Sequence, residues 1–366
     1  MADVKKTYVG WQELGHKRNQ VEYQTKTPLL AEDGTLLVKG GWARYDVFEY
    51  NRDYSTPNKR KKEWDFYQIC NGKYMLQISF ANISIGGYGS ITLVDIENGK
   101  TVLSPMALFL GKGNEYILPA VSDQPSVVDF TVGNAHFKFV TETTKRYLSV
   151  DMFNKKVPVK AEFEMDMMEN QENITTVLPF DNNPTRYFMT TKLNCMPCSG
   201  TLTVGEDKYE FSKDDTFCCL DWGRVNTPYK LVWYWGNGSG YVTDKDGKKH
   251  IVGFEITWGI GNEDNATETC IFYDGKAHKF GSVDVETFPK PDKYMEPWVF
   301  VSEDKRFNLT MTPTYDHHSD LNIINLLRMH SHQVHGKWNG NVVLDDGTVV
   351  EIKDMYAFCE YVENKW

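Results

Sequence analysis

The chain has 366 residues, with 50 acidic and 40 basic side chains and a formal net charge of −10. Its aromatic content of 14% excludes a disordered chain, and seven cysteines are too few for a disulfide-dense scaffold. The acidic balance, without a long basic run, argues against a nucleic-acid-binding protein. The N-terminus has no apolar signal-peptide core and no segment reaches about 18 uncharged apolar residues, so we predict a cytoplasmic protein without a membrane span.

Apolar and polar residues alternate through most of the chain, which is the pattern of half-buried β-strands. The alternating segments include 74–80, 136–140, 147–152, 161–165 and 200–204. Asn-Gly and Asp-Gly pairs, which are typical of β-hairpin turns, separate such segments; they begin at Asp33, Asn71, Asn98, Asp246, Asp274 and Asp346. Only Leu321–Met329 (LNIINLLRM) has a pattern compatible with a helix. The sequence therefore predicts an all-β fold of antiparallel strands.

The chain also resembles itself, which indicates an internal duplication. The paired segments begin at Asn71 and Asp246, at Phe137 and Trp298, and at Gly200 and Gly340. The pairs occur in the same order in both copies. The separation between the two members of a pair decreases along the chain, as a shorter second copy requires. We predict two antiparallel barrels: residues 1–225 hold a leading segment and the first barrel, and residues 226–366 hold the second. A barrel of about eight strands encloses one small ligand and leaves no sheet edges.

Asp221 and Arg224, in the run DWGR, are the first candidates for chemistry. They could form a site in which the arginine fixes the charge of the carboxylate, or a structural salt bridge at a strand exit. In the second copy, Glu360 aligns with Asp221 after a one-residue slip. A carboxylate shared by both copies favours a structural role as readily as a catalytic one.

Glu268, flanked by threonines, could point into a barrel interior, where burial would raise its pKa towards that of a general acid, or could face water at the rim. His330 and His332 have the spacing of two imidazole ligands on one face of a strand, suitable for zinc or iron. No Cys, Asp or Glu lies beside them at ligand spacing, so we expect hydrogen-bonding histidines in a pocket and no metal.

Tryptophans are dense around the junction of the two copies; those that could line a pocket are Trp222, Trp233, Trp235, Trp258 and Trp298. Alternation places Trp233 and Trp235 on one face, although core packing is the alternative for the set. Cys195 and Cys198 have C-x-x-C spacing, but without a βαβ unit we expect structural thiols. Nucleotide-binding, lipase-type and metalloprotease motifs are missing, so no cofactor is expected.

The track DWGR…WYWGNG…VGFEITWG…TET…HGKWNG…LDDGT resembles the bacterial family catalogued as domain of unknown function number 2804, and TPLL…DG…KGGWAR resembles its N-terminal end. Two positions depart from the family pattern: Val225 replaces a glycine, and Thr269 replaces an asparagine. The family resembles two-domain lipocalin-like proteins that include carotenoid 1,2-hydratase. That resemblance implies two calycin-type barrels and a hydrophobic pocket in which an acid protonates an alkene.

Three functions remain open. The first is a cofactor-independent hydratase, isomerase or cyclase acting on a hydrophobic small molecule, with Asp221 as proton donor, Arg224 as its positioning residue, and Trp233 and Trp235 stabilising a carbocation. If Arg224 keeps Asp221 ionised, Glu268 or His332 becomes the better acid. The second is a non-catalytic carrier of a lipid or other apolar ligand, with Trp222, Trp258, Trp298 and His330 as further binding residues. The third is a carbohydrate-active protein.

Overall fold

The computed structural model of the protein describes residues 18–285, 293–323 and 327–365. Within these residues the fold is all-β: the one helix is a short 3-10 turn at Asn58–Arg60, and no helix is long and apolar enough to cross a membrane. The strands up to the middle of the chain are β1 (Thr27–Pro28), β2 (Gly41–Ala43), β3 (Phe48–Glu49), β4 (Lys61–Cys70), β5 (Tyr74–Asn82), β6 (Gly86–Asp95), β7 (Lys100–Leu103), β8 (Met106–Leu110), β9 (Ser126–Val132), β10 (Ala135–Thr141), β11 (Lys145–Asn154), β12 (Val157–Asp166), β13 (Ile174–Pro179), β14 (Tyr187–Val204), β15 (Asp207–Phe211) and β16 (Phe217–Asn226).

The remaining strands are β17 (Lys230–Thr243), β18 (Lys249–Trp258), β19 (Glu268–Tyr273), β20 (Lys276–Lys279), β21 (Val283–Val285), β22 (Trp298–Ser302), β23 (Phe307–Ile323), β24 (Leu327–Val343) and β25 (Val349–Lys365). They form a second sheet, in the order β20-β19-β18-β17-β25-β24-β23-β22-β21. The first sheet runs β7-β6-β5-β4-β16-β14-β12-β11-β10-β9, with β2, β8, β13 and β15 joined at its sides. The short β1 and β3 pair separately, in parallel.

The two sheets share one topology. In each, the chain begins at a central strand, proceeds to one edge, crosses to the other edge and returns until its last strand pairs with its first, β16 with β4 and β25 with β17. Two of the self-similar segment pairs occupy equivalent positions: β5 with β18, and β14–β16 with β24–β25. The pair beginning at Phe137 and Trp298 is displaced by one strand, because the first sheet has an additional strand on that side.

Each sheet curls around its own apolar core, and alternation decides which side chains enter it. On β5, Leu76, Ile78 and Phe80 are fully buried in the first core, while Gln77 and Ser79 point to the opposite, outer face of the sheet. A separate core fills the second sheet. The outer faces of the central strands are buried as well, because there the two sheets pack against each other through further apolar clusters with members from both.

The predicted all-β fold of two curled antiparallel sheets is confirmed, and each sheet forms a half-barrel. In the part of the chain that the structure describes, no ladder joins β7 or β8 to β9, or β20 to β21. Only three residues separate β20 from β21, a span of at most about 14 Å, so the two edges of the second sheet lie close together. The connection between β20 and β21 is held by hydrogen bonds from side chains to its backbone. Thr269 donates to Phe280 O, and Asp304 accepts from Gly281 N.

The helix predicted at Leu321–Met329 is wrong. Its described residues are strand: 321–323 end β23 and 327–329 begin β24, where Leu321 pairs with Met329 and Ile323 with Leu327, and residues 324–326 lie outside the described part of the chain. The nine-residue apolar pattern was too short to distinguish a helix from two paired strands. Cross-strand pairing along both 17-residue strands stabilises the extended conformation of this segment's described residues over a helix.

Candidate functional site

A cavity of about 310 Å³ lies between the outer faces of the two sheets. Central strands of both sheets supply its walls, among them β4, β5, β14 and β16 from the first and β17, β24 and β25 from the second. The lining mixes aromatic rings with hydroxyl and amide groups; prominent members are Trp64, Ser79, Trp233, Trp235, Ser331 and Gln333. Its volume is in the range of small-molecule sites. Each half-barrel interior, in contrast, is filled by its own core.

A cluster of a buried lysine and three carboxylates lies at one side of the cavity, where Lys192 and Asp221 line the wall. Lys192 Nζ on β14 lies 2.7 Å from Asp221 Oδ1 on β16 and 3.6 Å from Glu268 Oε2 on β19. Burial opposes the charge of Lys192, but Asp221, Glu268 and Glu255 outweigh that effect and raise the pKa of the lysine. The indole N–H of Trp64 donates to Asp221 Oδ2 at 3.1 Å. Asp221 therefore accepts one hydrogen bond, from Trp64, and is held as the ion-pair partner of Lys192.

Glu255 and Glu268 stand deeper in this cluster. Burial raises the pKa of Glu255 to about 8 against the opposing charge of Lys192. Its Oε2 accepts from the Trp235 indole at 2.8 Å, and its Oε1 accepts from Asn194 Nδ2 at 3.0 Å. Burial and the nearby Asp221 also raise the pKa of Glu268, which accepts a hydrogen bond from Thr190. Neither Glu255 nor Glu268 reaches the cavity wall, so both act on it through Lys192 and Trp235.

Glu360 faces the cavity from β25, the strand that is equivalent to β16 of the first sheet. Its side chain accepts from Trp233 Nε1 at 2.9 Å and from Gln333 Nε2 at 2.8 Å, both neutral donors. Burial raises its pKa to about 7. The equivalent strands β16 and β25 thus place one carboxylate each at the same cavity, and of these two only Asp221 has a lysine beside it. Glu360 is consequently the group better suited to hold a proton near neutral pH.

The structure separates Arg224 from Asp221. The two residues are three positions apart on β16, so they lie on opposite faces of the sheet. Arg224 pairs instead with Asp65 at 2.9 Å and donates to Pro119 O at 2.6 Å. The expected pairing of Asp221 with Arg224 is therefore replaced by the pairing with Lys192, which lies on a neighbouring strand and was not identified from the sequence.

The tryptophans divide between cores and cavity. Trp222 is buried in the first core, and Trp258 and Trp298 in the second, where Trp258 stacks on a tyrosine. Trp233 and Trp235 share a face, as alternation predicts, and both line the cavity. The face of Trp235 is already occupied, because Lys192 Nζ lies 4.3 Å from the ring centroid.

His330 and His332 do not face the cavity. Alternation on β24 directs Ser331 and Gln333 to the cavity and the two histidines to the other side of the sheet. His332 pairs with Asp316 at 2.7 Å. All seven cysteines are free thiols; Cys195 and Cys198 lie buried on β14.

Lys192, Glu255 and Gln333 were not singled out from the sequence. Lys192 and Glu255 each stand in an otherwise apolar or neutral strand, in TTKLN and GFEITW, and a charge in such a strand is a sign of a buried partner. The identity of that partner depends on the packing of the two sheets, which no local pattern reveals.

The fold and the cavity define a two-sheet antiparallel β protein with space for a small molecule between its halves. Residues 20–366 match the family described as "Domain of unknown function (DUF2804)", and the chain belongs to this family. No curated protein matches the chain significantly.

Two solved structures are similar in outline. One is a protein from Nitrosomonas europaea with the provisional name AttH, 13% identical, covering 87% of this chain and 96% of its own, with a TM-score of 0.49. The other is kievitone hydratase from Nectria haematococca, 11% identical, covering 96% of this chain and 98% of its own, also with a TM-score of 0.49.

Proposed function

We propose that the protein binds a mostly apolar small molecule with hydroxyl or carbonyl groups in the cavity between the sheets, and that it catalyses proton transfer to this molecule without a cofactor. The observation that carries the proposal is a pair of carboxylates at one cavity in different surroundings. Glu360 has only neutral donors, whereas Asp221 is paired with Lys192. Two titratable groups whose environments differ in this way are the arrangement expected of an acid and a base.

In a hydration, Glu360 gives its proton to one carbon of a C=C bond, and water adds its oxygen to the other carbon. Asp221 takes the proton that this water loses, so the carboxylates end the cycle with their protonation exchanged and re-equilibrate through solvent. In an isomerisation, Asp221 removes the proton from a carbon of the substrate instead. Trp233, whose ring is not covered by Lys192, would stabilise positive charge by about 0.5–2 kcal/mol.

Binding is tested with the neutral fluorescent probe N-phenyl-1-naphthylamine. We expect saturable binding to the wild-type protein and loss of at least tenfold in affinity in Ala81→Phe, which fills the cavity wall. Val349→Phe, at an exposed position 63% accessible to solvent, is the matched control. Binding that is equal in all three proteins would refute the cavity as the ligand site.

Catalysis is tested in D₂O with a panel of amphipathic alkenes and their hydrated products. Proton transfer to carbon introduces a non-exchangeable deuterium, which mass spectrometry detects whether the reaction is a hydration or an isomerisation. We expect incorporation with the wild-type protein and its loss in Glu360→Gln, with probe binding retained. Saturable binding of the panel without deuterium incorporation would support the non-catalytic carrier and overturn the catalytic proposal.

A further inference from the structure

The β23–β24 hairpin assembles three histidines that the sequence keeps in two separate segments. His318 on β23 lies directly opposite His332 on β24, and His330 lies two residues before His332 on the same face. One ring nitrogen from each of these residues lies within 4.8 Å of the others. The three rings also contact each other, with centroids 4.3–5.0 Å apart.

Two observations indicate that these imidazoles are prepared for a ligand. The first is the contact of His332 Nδ1 with Asp316 Oδ2 at 2.7 Å. A neutral imidazole that donates its Nδ1 proton to a carboxylate keeps its lone pair on Nε2, the arrangement found behind metal-binding histidines. The second is His330 Nδ1, which is buried without a hydrogen-bond partner. The stacking of Tyr294 on His332, with ring centroids 3.7 Å apart, additionally holds that ring in place.

The surrounding charges favour a cation. Asp316 stands behind His332, and Asp320 Oδ2 lies 3.8 Å from His330 Nδ1. Glu363, opposite His330 on β25, is a third carboxylate, and the described cations nearby are Arg328, whose Nε lies 3.5 Å from Asp320, and Lys365 opposite Arg328. Carboxylates therefore outnumber basic side chains around the cluster, which complements a divalent metal ion.

We propose that His318, His330 and His332 bind one Zn²⁺ ion, with a fourth position left for water or a small ligand. Zinc–imidazole bonds of about 2.0–2.1 Å in tetrahedral geometry place the nitrogens about 3.4 Å apart. The distance between any two of these nitrogens therefore has to shorten by no more than about 1.4 Å. His318 is exposed, so rotation of its side chain provides most of this movement.

The zinc site is separate from the cavity of the proposed function. Residues of β24 alternate between the two: Ser331 and Gln333 line the cavity, and His330 and His332 belong to the opposite face. The zinc proposal does not depend on the catalytic proposal, and each can fail without the other.

The experiment is titration of the chelator-treated full-length protein with ZnCl₂ by isothermal calorimetry, together with Co²⁺ titration followed by visible absorption. We expect one equivalent of either metal and the absorption of tetrahedral Co²⁺. His332→Ala should abolish stoichiometric binding, and His318→Gln, at an exposed position chosen to preserve folding, should weaken it at least tenfold. Asp316→Asn should keep the stoichiometry and weaken binding about 10–100-fold.

His136→Ala is the matched control, because this exposed histidine also pairs with an aspartate, Asp129, at 2.8 Å, but lies in the first sheet. It should bind the metal as the wild-type protein does. The proposal is overturned if the wild-type protein shows no stoichiometric binding. It is equally overturned if His318→Gln, shown by circular dichroism to be folded, binds zinc with unchanged affinity, because the three histidines would then be only a hydrogen-bonded surface cluster.

Discussion

The Glu360→Gln variant should be slightly less stable than the wild-type protein at pH 5 and more stable than it at pH 8. Glu360 is 5% exposed, and burial raises its pKa from 4.5 to about 7. The folded state therefore retains a proton that the unfolded state loses between these two values. The stabilisation from Glu360 is fully present below pH 4.5 and is lost as the pH rises through 7. Glutamine has the shape of the protonated carboxyl group but cannot ionise.

The magnitude follows from the difference between the two pKa values. Each pH unit changes the free energy of unfolding by about 1.4 kcal/mol, so the wild-type protein should lose about 3 kcal/mol relative to Glu360→Gln between pH 4.5 and pH 8. At pH 5 the substitution should cost about 1 kcal/mol or less, because the amide group can still bond to Trp233 and Gln333. At pH 8 the variant should be the more stable protein.

The assay is urea unfolding followed by tryptophan fluorescence at pH 5, 6, 7 and 8, with midpoints and slopes compared at each pH. Glu351→Gln, on an exposed part of the same strand, controls for the loss of one negative charge. If the stability difference between wild type and Glu360→Gln changes by less than about 1 kcal/mol over this range, Glu360 is solvated in the folded state and our assignment of the proton donor is wrong.

Three further substitutions test the site. Lys192→Met leaves the buried carboxylates around it without their cation and should destabilise the protein by about 3–5 kcal/mol in urea unfolding. Gly223→Ala places a Cβ in the ring of Trp64 and should cost about 1–3 kcal/mol while weakening probe binding at the cavity; an unchanged midpoint would contradict the close approach. Trp222→Ala should lower the free energy of unfolding by about 3–5 kcal/mol and leave probe affinity unchanged in the folded protein. Trp233→Ala should reduce the probe affinity. The opposite result would mean that Trp222 lines the cavity and Trp233 belongs to the core.

The strands were largely predictable because each depends on its own alternation. The segment 74–80 shows this well: its period of two corresponds to β5 within one or two residues. The same pattern was misleading about the environment of the polar positions. Gln77 and Ser79 were expected on a half-buried strand, but the second sheet covers them, and they are only 8% and 4% exposed. Alternation shows that the two faces of a strand differ in polarity. It does not show which part of the protein packs against the polar face.

The site was predictable in part. Trp233, Trp235 and Asp221 were identified because they lie in one unusual stretch of sequence, and they do share the cavity. The partner of Asp221 is a lysine 29 positions earlier in the chain, and Glu360 lies on the last strand of the chain, at the centre of the second sheet. Such contacts are set by the packing of two sheets, and a sequence without its fold contains no local signal for them.

Both half-barrel interiors are packed solid, and the ligand-sized space exists only where two outer faces meet. A single copy folding alone would bury its core and yet have no such space, so the site is a product of pairing and not of either half. The polar residues of the outer faces differ between the halves although each core stays apolar. A lysine lies beside Asp221 and a glutamine beside Glu360, so two equivalent strands present different chemical surroundings to one shared space.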